Sequence, residues 1–450
     1  MTIDWTTYLS DEAKLRKDSV MAIPKGDDII SLALGLPSPD CFPLKGIKLD
    51  VESPNSNFLK TETIQRNIIE HPDEIISSCQ YMSSNGIQEF NNWVKNYIEK
   101  YFKPNYNNWD FLIQSGATQS LDAIFRMLIN PNKDTILCEN LTYSCFLETC
   151  IPFRVNLFSV EMDEFGIIPE NLDILLNNWL INEKTKNLNK PKIFYLVPTG
   201  HNPTGITLST ERRIEIVNIA NKHDLIIIED DPYYHLQLDN NSIHIPSLLN
   251  FDTQGRVIRI DSFSKMLMPG LRVSIVTCNK LFIKNLSMHN ELSIHSASAN
   301  SQLILQMIFN QWGNDGFESW LKHLQSLYLK RRNILLNAFD KFLPKDLVNY
   351  NRPNYGMFIW INANMDKFKK LENSKLNDFQ WAEFIENEIY KVASEKYKVI
   401  LTKGHWFMKD KNSLIAGFRA TYSFVDEDKM IKGAELFGKA VEDVYKSLYN

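Results

Sequence analysis

Between Asn85 and Leu281 the chain carries seven short β-rich runs: "FLIQS", "DTILCE", "RVNLFSV", "KIFYLVP", "LIIIED", "RVIRI" and "RVSIVTC". Helical periods separate most of them, and strands that alternate with amphipathic helices build a largely parallel sheet with helices on its faces. One unit shows the logic: "KIFYLVP" is followed by a loop, by "STERRIEIVNIANKHD" and by "LIIIED". Ser209 or Thr210 can cap the helix, and Ile216, Ile219 and Ala220 at i, i+3 and i+4 give it one apolar stripe. "LIIIED" is apolar on both faces, as a strand covered above and below must be, and it runs into three carboxylates, Glu229, Asp230 and Asp231. The pattern predicts an α/β fold around a mostly parallel seven-stranded sheet.

On either side the character changes. The first forty or so residues combine a polar helical stretch, "DEAKLRKDSVMAI", with "LGLPSPDCFPL", where Pro37, Pro39 and Pro43 forbid a regular helix or a central strand. Beyond about Asn314 long helical segments lead into "YGMFIWI" and "LIAGFRATYSF", which predicts a smaller α+β domain. The expected organisation is an arm over residues 1–45, a large domain over 46–314 and a small domain over 315–450. The aromatic cluster "WFM" from Trp406 reads as core.

Composition excludes several function classes. With 44% hydrophobic residues and a formal net charge of −5, the chain can bury a large core and has no global basic field for nucleic acid. No apolar run approaches the ~20 residues of a membrane-spanning helix. The six cysteines form no CxxC pair and no His-spaced zinc pattern, and the opening residues lack a secretory leader. The expectation is a cytoplasmic protein with no bound metal, no nucleic acid and no membrane.

In open α/β sheets ligands bind beyond the carboxyl ends of strands, so polar clusters there are the candidates. "SGATQ" opens a helix, "PTGHNPTG" follows one strand, "EDDPYY" ends another, and "DSFSKMLMPGLR" follows "RVIRI". A helix that starts at Gly116, Ala117 and Thr118 offers backbone N–H groups and a positive dipole end to a phosphate. Ser262, Ser264 and Arg272 add hydroxyls and a forked positive charge. Neither a dinucleotide glycine fingerprint nor GxxxxGK[ST] is present, so the phosphate does not belong to a nucleotide. Asp230 would be costly to bury unless a protonated ring nitrogen met it, and Lys265 is placed to form a Schiff base with an aldehyde. Together these groups describe a pyridoxal 5'-phosphate site.

"SLALGLPSPDCFP", "QYMSSNG", "SGATQSL", "YSCFLET", "PTGHNPTG", "IIIEDDPYYHL", "DSFSKMLMPGLRV", "YGMFIWI" and "FRATYSF" occur in that order over nearly the whole chain. The set resembles a fold-type I aminotransferase of the branch containing the 2-aminoadipate/kynurenine and fungal aromatic amino acid enzymes. The resemblance implies the PLP-dependent transferase fold, with Lys265 carrying the covalent link to the cofactor and Asp230 facing its ring nitrogen. It implies that Asn202 and Tyr233 bond the phenolic oxygen and that Tyr143 stacks on the ring. Gly116, Ala117, Thr118, Ser262, Ser264 and Arg272 hold the phosphate, and Arg419, with Asn202, grips the substrate carboxylate. Tyr81 corresponds to a residue offered to the neighbouring subunit's site, so a homodimer is implied, and Gly35 and Leu36 lie on the arm over the substrate.

Two departures from the pattern stand out. Ala117 and Thr118 occupy positions where relatives tend to carry a serine-glutamine pair, and His201 replaces other polar residues. For His201 a local hydrogen-bonding role is the more common outcome, and a contact to the substrate side chain is the alternative. The implied reaction is a pair of half-reactions that carry an amino group from a 2-aminoadipate, aromatic or kynurenine-type donor to a 2-oxo acid such as 2-oxoglutarate. A β-lyase or decarboxylase would use the same lysine and aspartate, and a non-catalytic cofactor-binding regulator is a third class.

Overall fold

The computed structural model describes residues 3–17, 35–238, 244–371, 374–410 and 414–449. By its internal contacts the chain divides into two compact units. The first comprises Met1–Asp134, Ala220–Pro232 and Pro246–His323, and the second Thr135–Ile219, Tyr233–Ile245 and Leu324–Asn450.

In the first unit α1 (Asp11–Lys14) is followed by an antiparallel hairpin of β1 (Gly46–Glu52) and β2 (Thr61–Asn67), then by α2 (Pro72–Cys79) and α3 (Gln88–Tyr101). Of the helix expected from Asp11 to Ile23, the described residues contain α1, capped by the Ser10 side chain, and end it at Lys14; Asp18–Ile23 lie outside the described residues. The strands of this unit are β3 (Trp109–Gln114), β9 (Ile226–Asp230), β10 (Val257–Ser262) and β11 (Ser274–Asn279). β9 and β10 are parallel, whereas β11 pairs antiparallel with both β10 and β3. Helix α4 (Ala117–Leu128) leaves the end of β3 and buries Leu121, Ile124, Phe125 and Leu128, one face at helical spacing. Helix α8 (Lys280–Ser293) follows β11 directly, capped by the Asn279 side chain.

In the second unit β4 (Thr135–Glu139) pairs in parallel with β5 (Asn156–Val160), which α5 (Ser144–Phe153) precedes. After the short hairpin β6 (Met162–Asp163) and β7 (Gly166–Ile167) and helix α6 (Pro169–Asn177), β8 (Ile193–Leu196) pairs in parallel with β4. Helix α7 (Thr210–His223) is capped by Ser209, whose Oγ accepts from the Arg212 N–H at 3.3 Å, and it buries Ile216, Ile219 and Ala220 as the stripe required. Helix α9 (Ala299–Phe342) enters this unit at Leu324; its earlier part, in the first unit, is kinked at Gly313, whose φ of 61° lies outside the helical region.

An antiparallel sheet of this unit, in the order β12 (Val348–Tyr350), β13 (Phe358–Ala363), β15 (Gly417–Thr421), β14 (Thr402–Lys403), packs with α10 (Asp378–Lys391) and α11 (Glu427–Tyr449). Met430, Ala434, Phe437, Val441 and Val444 form the buried stripe of α11. Gly438 lies among them because any Cβ there would meet the Phe342 carbonyl oxygen at 2.3 Å.

All seven predicted runs are strands: β3-β11-β10-β9 lie side by side in that order in the first unit, and β8-β4-β5 in the second. β4, β8, β9, β10 and β11 are buried along their whole length, so their apolar character on both faces is what their position demands. β11 is the antiparallel strand that makes the sheet mostly rather than wholly parallel.

Candidate active site

The residues singled out above fall into two groups, one in each unit. In the first unit, strand register gathers them at one sheet edge: Gln114 faces Ser274, Ser274 faces Ser262, and Asp230 faces Ile260. Strands β3, β9 and β10 therefore end together, and Gly116, Asp230 and Lys265 follow from those ends. Gly116 caps α4 with φ 88° and no side-chain cap, leaving the helix N-terminus open. A Cβ on Gly116 would stand 2.1 Å from Arg272 Nη2, so the guanidinium lies directly against the glycine. Arg272 Nη1 donates to Ser264 Oγ at 3.3 Å and to the Pro269 carbonyl at 3.1 Å, and Ser262 Oγ donates to Ser264 Oγ at 3.0 Å. Two hydroxyls, a guanidinium and an uncapped helix end thus converge, which is the donor set a phosphate dianion requires. Ala117 and Thr118 form the first turn of that helix, with the Thr118 side chain exposed.

The run of three carboxylates resolves by the period of two in a strand. Glu229 and Asp231 both reach Arg259 Nη1 at 3.0 Å, and that fully buried guanidinium also covers the Phe102 ring at 3.8 Å. Asp230, between them, belongs to the other face and is 5% exposed. Asp261, beside Arg259, accepts from the Tyr97 hydroxyl at 2.6 Å, and burial raises its pKa. This charge cluster was not foreseen; its signal was the "RIDS" run opposite "IEDD", charges inside two apolar strands. Lys265 lies in the turn after β10 and is partly buried. Tyr81 is 67% exposed, with its ring edge-on to His295 at 5.3 Å. Gly35 and Leu36 are exposed and in irregular backbone.

In the second unit Arg419 is the centre. β15 pairs it with Trp360 of β13 and Thr402 of β14. Its Nη1 donates to Asn202 Oδ1 at 2.6 Å, its Nη2 to Thr402 Oγ1 at 3.3 Å, and its guanidinium carbon lies 4.6 Å from the Phe358 ring centre and 4.9 Å from that of Phe407. Burial lowers its pKa, opposed by the neighbouring Tyr233 and Tyr143. Among the described residues no carboxylate pairs with it. Tyr233 is buried, with its ring edge-on to Phe358 at 5.4 Å, and Tyr143 stands at the start of α5.

Asn202 owes its position to the "PTGHNPTG" loop. Gly200 and Gly205 have φ 54° and 71°, and a Cβ on them would meet Gly356 Cα at 2.6 Å and the Phe358 carbonyl at 2.5 Å. His201 is internal: Nε2 lies 3.0 Å from Glu139 Oε2 and Nδ1 2.7 Å from Thr204 Oγ1, the local role that was the more common expectation. Thr402, Phe358 and Phe407 were missed, because their contribution depends on the pairing of β13, β14 and β15. The "WFM" cluster needs correction at its first residue: Phe407 and Met408 are buried, but Trp406 is 49% exposed.

A sheet edge bearing a lysine, a buried aspartate and a convergence of hydroxyls, guanidinium and open helix end has the groups an α/β transferase with an aldehyde cofactor requires. The family model for aminotransferase class I and II matches residues 55–435. An aromatic amino acid aminotransferase of Schizosaccharomyces pombe is 35% identical, covering 98% of this chain and 98% of its own. The mitochondrial kynurenine/alpha-aminoadipate aminotransferase of Rattus norvegicus is also 35% identical, over 93% of this chain and 92% of its own. The crystal structure of aminotransferase Aro8 from Candida albicans matches with a TM-score of 0.89 at 32% identity, covering 99% of both chains. This chain belongs to the aminotransferase class I and II family, and it is a pyridoxal phosphate-dependent transaminase.

Proposed function

We propose that this aminotransferase moves the amino group of an aromatic amino acid, kynurenine or 2-aminoadipate to a 2-oxo acid such as 2-oxoglutarate. The donor class rests on the names of the similar enzymes from Schizosaccharomyces pombe and Rattus norvegicus. The observation that carries the general reading is Arg419: a largely desolvated guanidinium held between two aromatic rings, by an amide oxygen and a hydroxyl, with no carboxylate of its own among the described residues. Amino acids and 2-oxo acids share the α-carboxylate that would complete it, and no other group on both substrates is constant.

The residue roles belong to the same proposal. Gly116, Ala117, Thr118, Ser262, Ser264 and Arg272 hold the cofactor phosphate, Asp230 meets its ring nitrogen, and Asn202 and Tyr233 bond its phenolic oxygen. Tyr143 offers a flat face that keeps the ring in orientation. Bound there, the cofactor supplies an aldehyde carbon for the amino group and a ring that accepts the electron pair left when the Cα–H bond breaks. Lys265 carries the proton: its Nζ takes it from Cα and delivers it to the former aldehyde carbon, two bonds away across the transferred nitrogen. Arg419 fixes the carboxylate so that the Cα–H bond is presented to Nζ, a positioning effect. Gly35 and Leu36 belong to an arm over residues 1–45 that limits water, with cofactor chemistry assigned to 46–314 and the carboxylate clamp to 315–450.

A homodimer in which Tyr81 serves the neighbouring subunit is also proposed; the exposure of this ring supports it. The described cysteines are all free, which fits a reducing compartment, and we propose the cytoplasm. No described helix is long and apolar enough to cross a membrane. The testing experiment is a donor panel with 2-oxoglutarate as acceptor, followed by an acceptor panel with the best donor. Glutamate formation from an aromatic donor, kynurenine or 2-aminoadipate supports the reading. Release of ammonia, pyruvate or carbon dioxide in its place sinks it.

A further inference from the structure

On the second unit, a cavity of about 450 Å³ lies between α11, the end of α9 and the strands β14 and β15. Its apolar walls include Leu335, Phe339, Leu401, Met430 and Phe437. Its charged lining residues are Arg419, on the strand side, and three lysines: Lys398, Lys429 and Lys432. Lys429 and Lys432 are engaged by Asp426 and Glu435 at 3.2 and 2.9 Å, but Lys398 pairs with no carboxylate among the described residues. It is also held at φ 56°, a left-handed conformation that lysine adopts only at a cost. Volume and lining fall within the range of small-molecule sites, whose walls are apolar and whose few polar groups fix one end of the ligand.

We propose that this cavity binds a carboxylic acid with an apolar body, its carboxylate at Lys398 and its body against Phe339 and Phe437. The cavity also borders Thr402 and Arg419, so an occupant bears on the strand pair that aims the substrate clamp. Occupancy would then change the KM for amino donor, which makes this a regulatory site separate from the choice of donor. Two sources share the chemistry, a fatty acid and an aromatic acid.

The test is calorimetric titration of the cofactor-loaded enzyme with octanoate and, separately, with 3-phenylpropanoate, repeated on Lys398→Glu and Gly433→Leu. Gly433 lines the cavity, and a Cβ there meets only Val399 Cγ2 at 3.6 Å, so the added side chain grows into the space without a backbone clash. The exposed Lys398 is a variant that tolerates folding, and thermal melting checks both proteins. Binding of at least one acid with a Kd below about 1 mM, weakened about tenfold or more in both variants, supports the site, and the tighter acid identifies the source. No binding in that range, or either variant binding as the wild type does, overturns it; equal binding would place the acid at the Arg419 clamp, which both variants leave intact.

Discussion

Arg419 donates to Asn202 Oδ1 across 2.6 Å, joining strand β15 to the glycine-bounded loop after β8. With the Thr402 hydroxyl, which accepts from Nη2 at 3.3 Å, the pair fixes the orientation of the guanidinium between the rings of Phe358 and Phe407. Replacing Arg419 with Lys keeps the charge and loses the planar fork. Truncating one partner of a desolvated charge pair costs about 2–5 kcal/mol, or about 30- to 4,000-fold in kcat/KM. The loss is expected for amino donors and 2-oxo acceptors alike, with cofactor content unchanged. Steady-state kinetics with both substrates varied would read it, and a loss confined to one of them would remove Arg419 from the clamp.

Lys265→Ala is expected to abolish turnover while leaving the fold intact, because the turn after β10 is held by backbone bonds such as Leu267 N–H to the Phe263 carbonyl at 2.9 Å. Hydride reduction of the cofactor-loaded wild type should leave the coenzyme's mass on the peptide containing Lys265 and on no other. Full activity in the variant, or an adduct elsewhere, contradicts the assignment.

Gly116→Ala should impair cofactor binding more than folding. The new methyl group would collide with Arg272 Nη2, and φ 88° is strained for any residue with a Cβ. Relief requires the guanidinium to move out of the cup, which removes at least one charge-assisted hydrogen bond to phosphate, worth about 1.5–3 kcal/mol. Equilibrium dialysis should show cofactor affinity about 10- to 150-fold weaker, with the apo-protein's melting temperature changed far less. An equal effect on apo stability would make the glycine structural.

Much of this architecture could be read from the chain because strand and helix periods are local properties. The seven runs and the stripe of Ile216, Ile219 and Ala220 each lie within a few consecutive residues, and the candidate phosphate site is made of two such local runs, residues 116–118 and 262–272. The partners of Arg419 were not readable, since Thr402 and Phe358 reach it only through the antiparallel register of β14, β15 and β13. Nor was the role of Arg259, which an apolar strand gives no reason to carry until Glu229 is found opposite it in the parallel register. Among the described residues, the helix expected from Asp11 stops after one capped turn at Lys14, although the polar residues that follow to Lys17 look helical in isolation.

A last prediction concerns pH and stability. Arg212, on α7, makes a bidentate pair with Asp163, Nη1 to Oδ1 at 2.7 Å and Nη2 to Oδ2 at 2.6 Å, and donates further to the carbonyls of Gly166 and Ile167 at 3.1 and 2.9 Å. The arginine thereby ties the β6–β7 hairpin to the helix. It holds the Asp163 carboxyl below its ordinary value of 3.8. A carboxyl whose folded pKa is depressed stabilises the fold fully above its unfolded pKa, and the contribution disappears as pH falls through the folded one. Asp163→Asn should therefore be less stable than the wild type at pH 7, by about 1–2 kcal/mol for a partly exposed bidentate pair. The gap should hold down to about pH 4 and close below it. Melting curves of both proteins across pH 3–7 check this, and a gap that persists unchanged at the acid end would show that the carboxylate's charge is not what secures the hairpin.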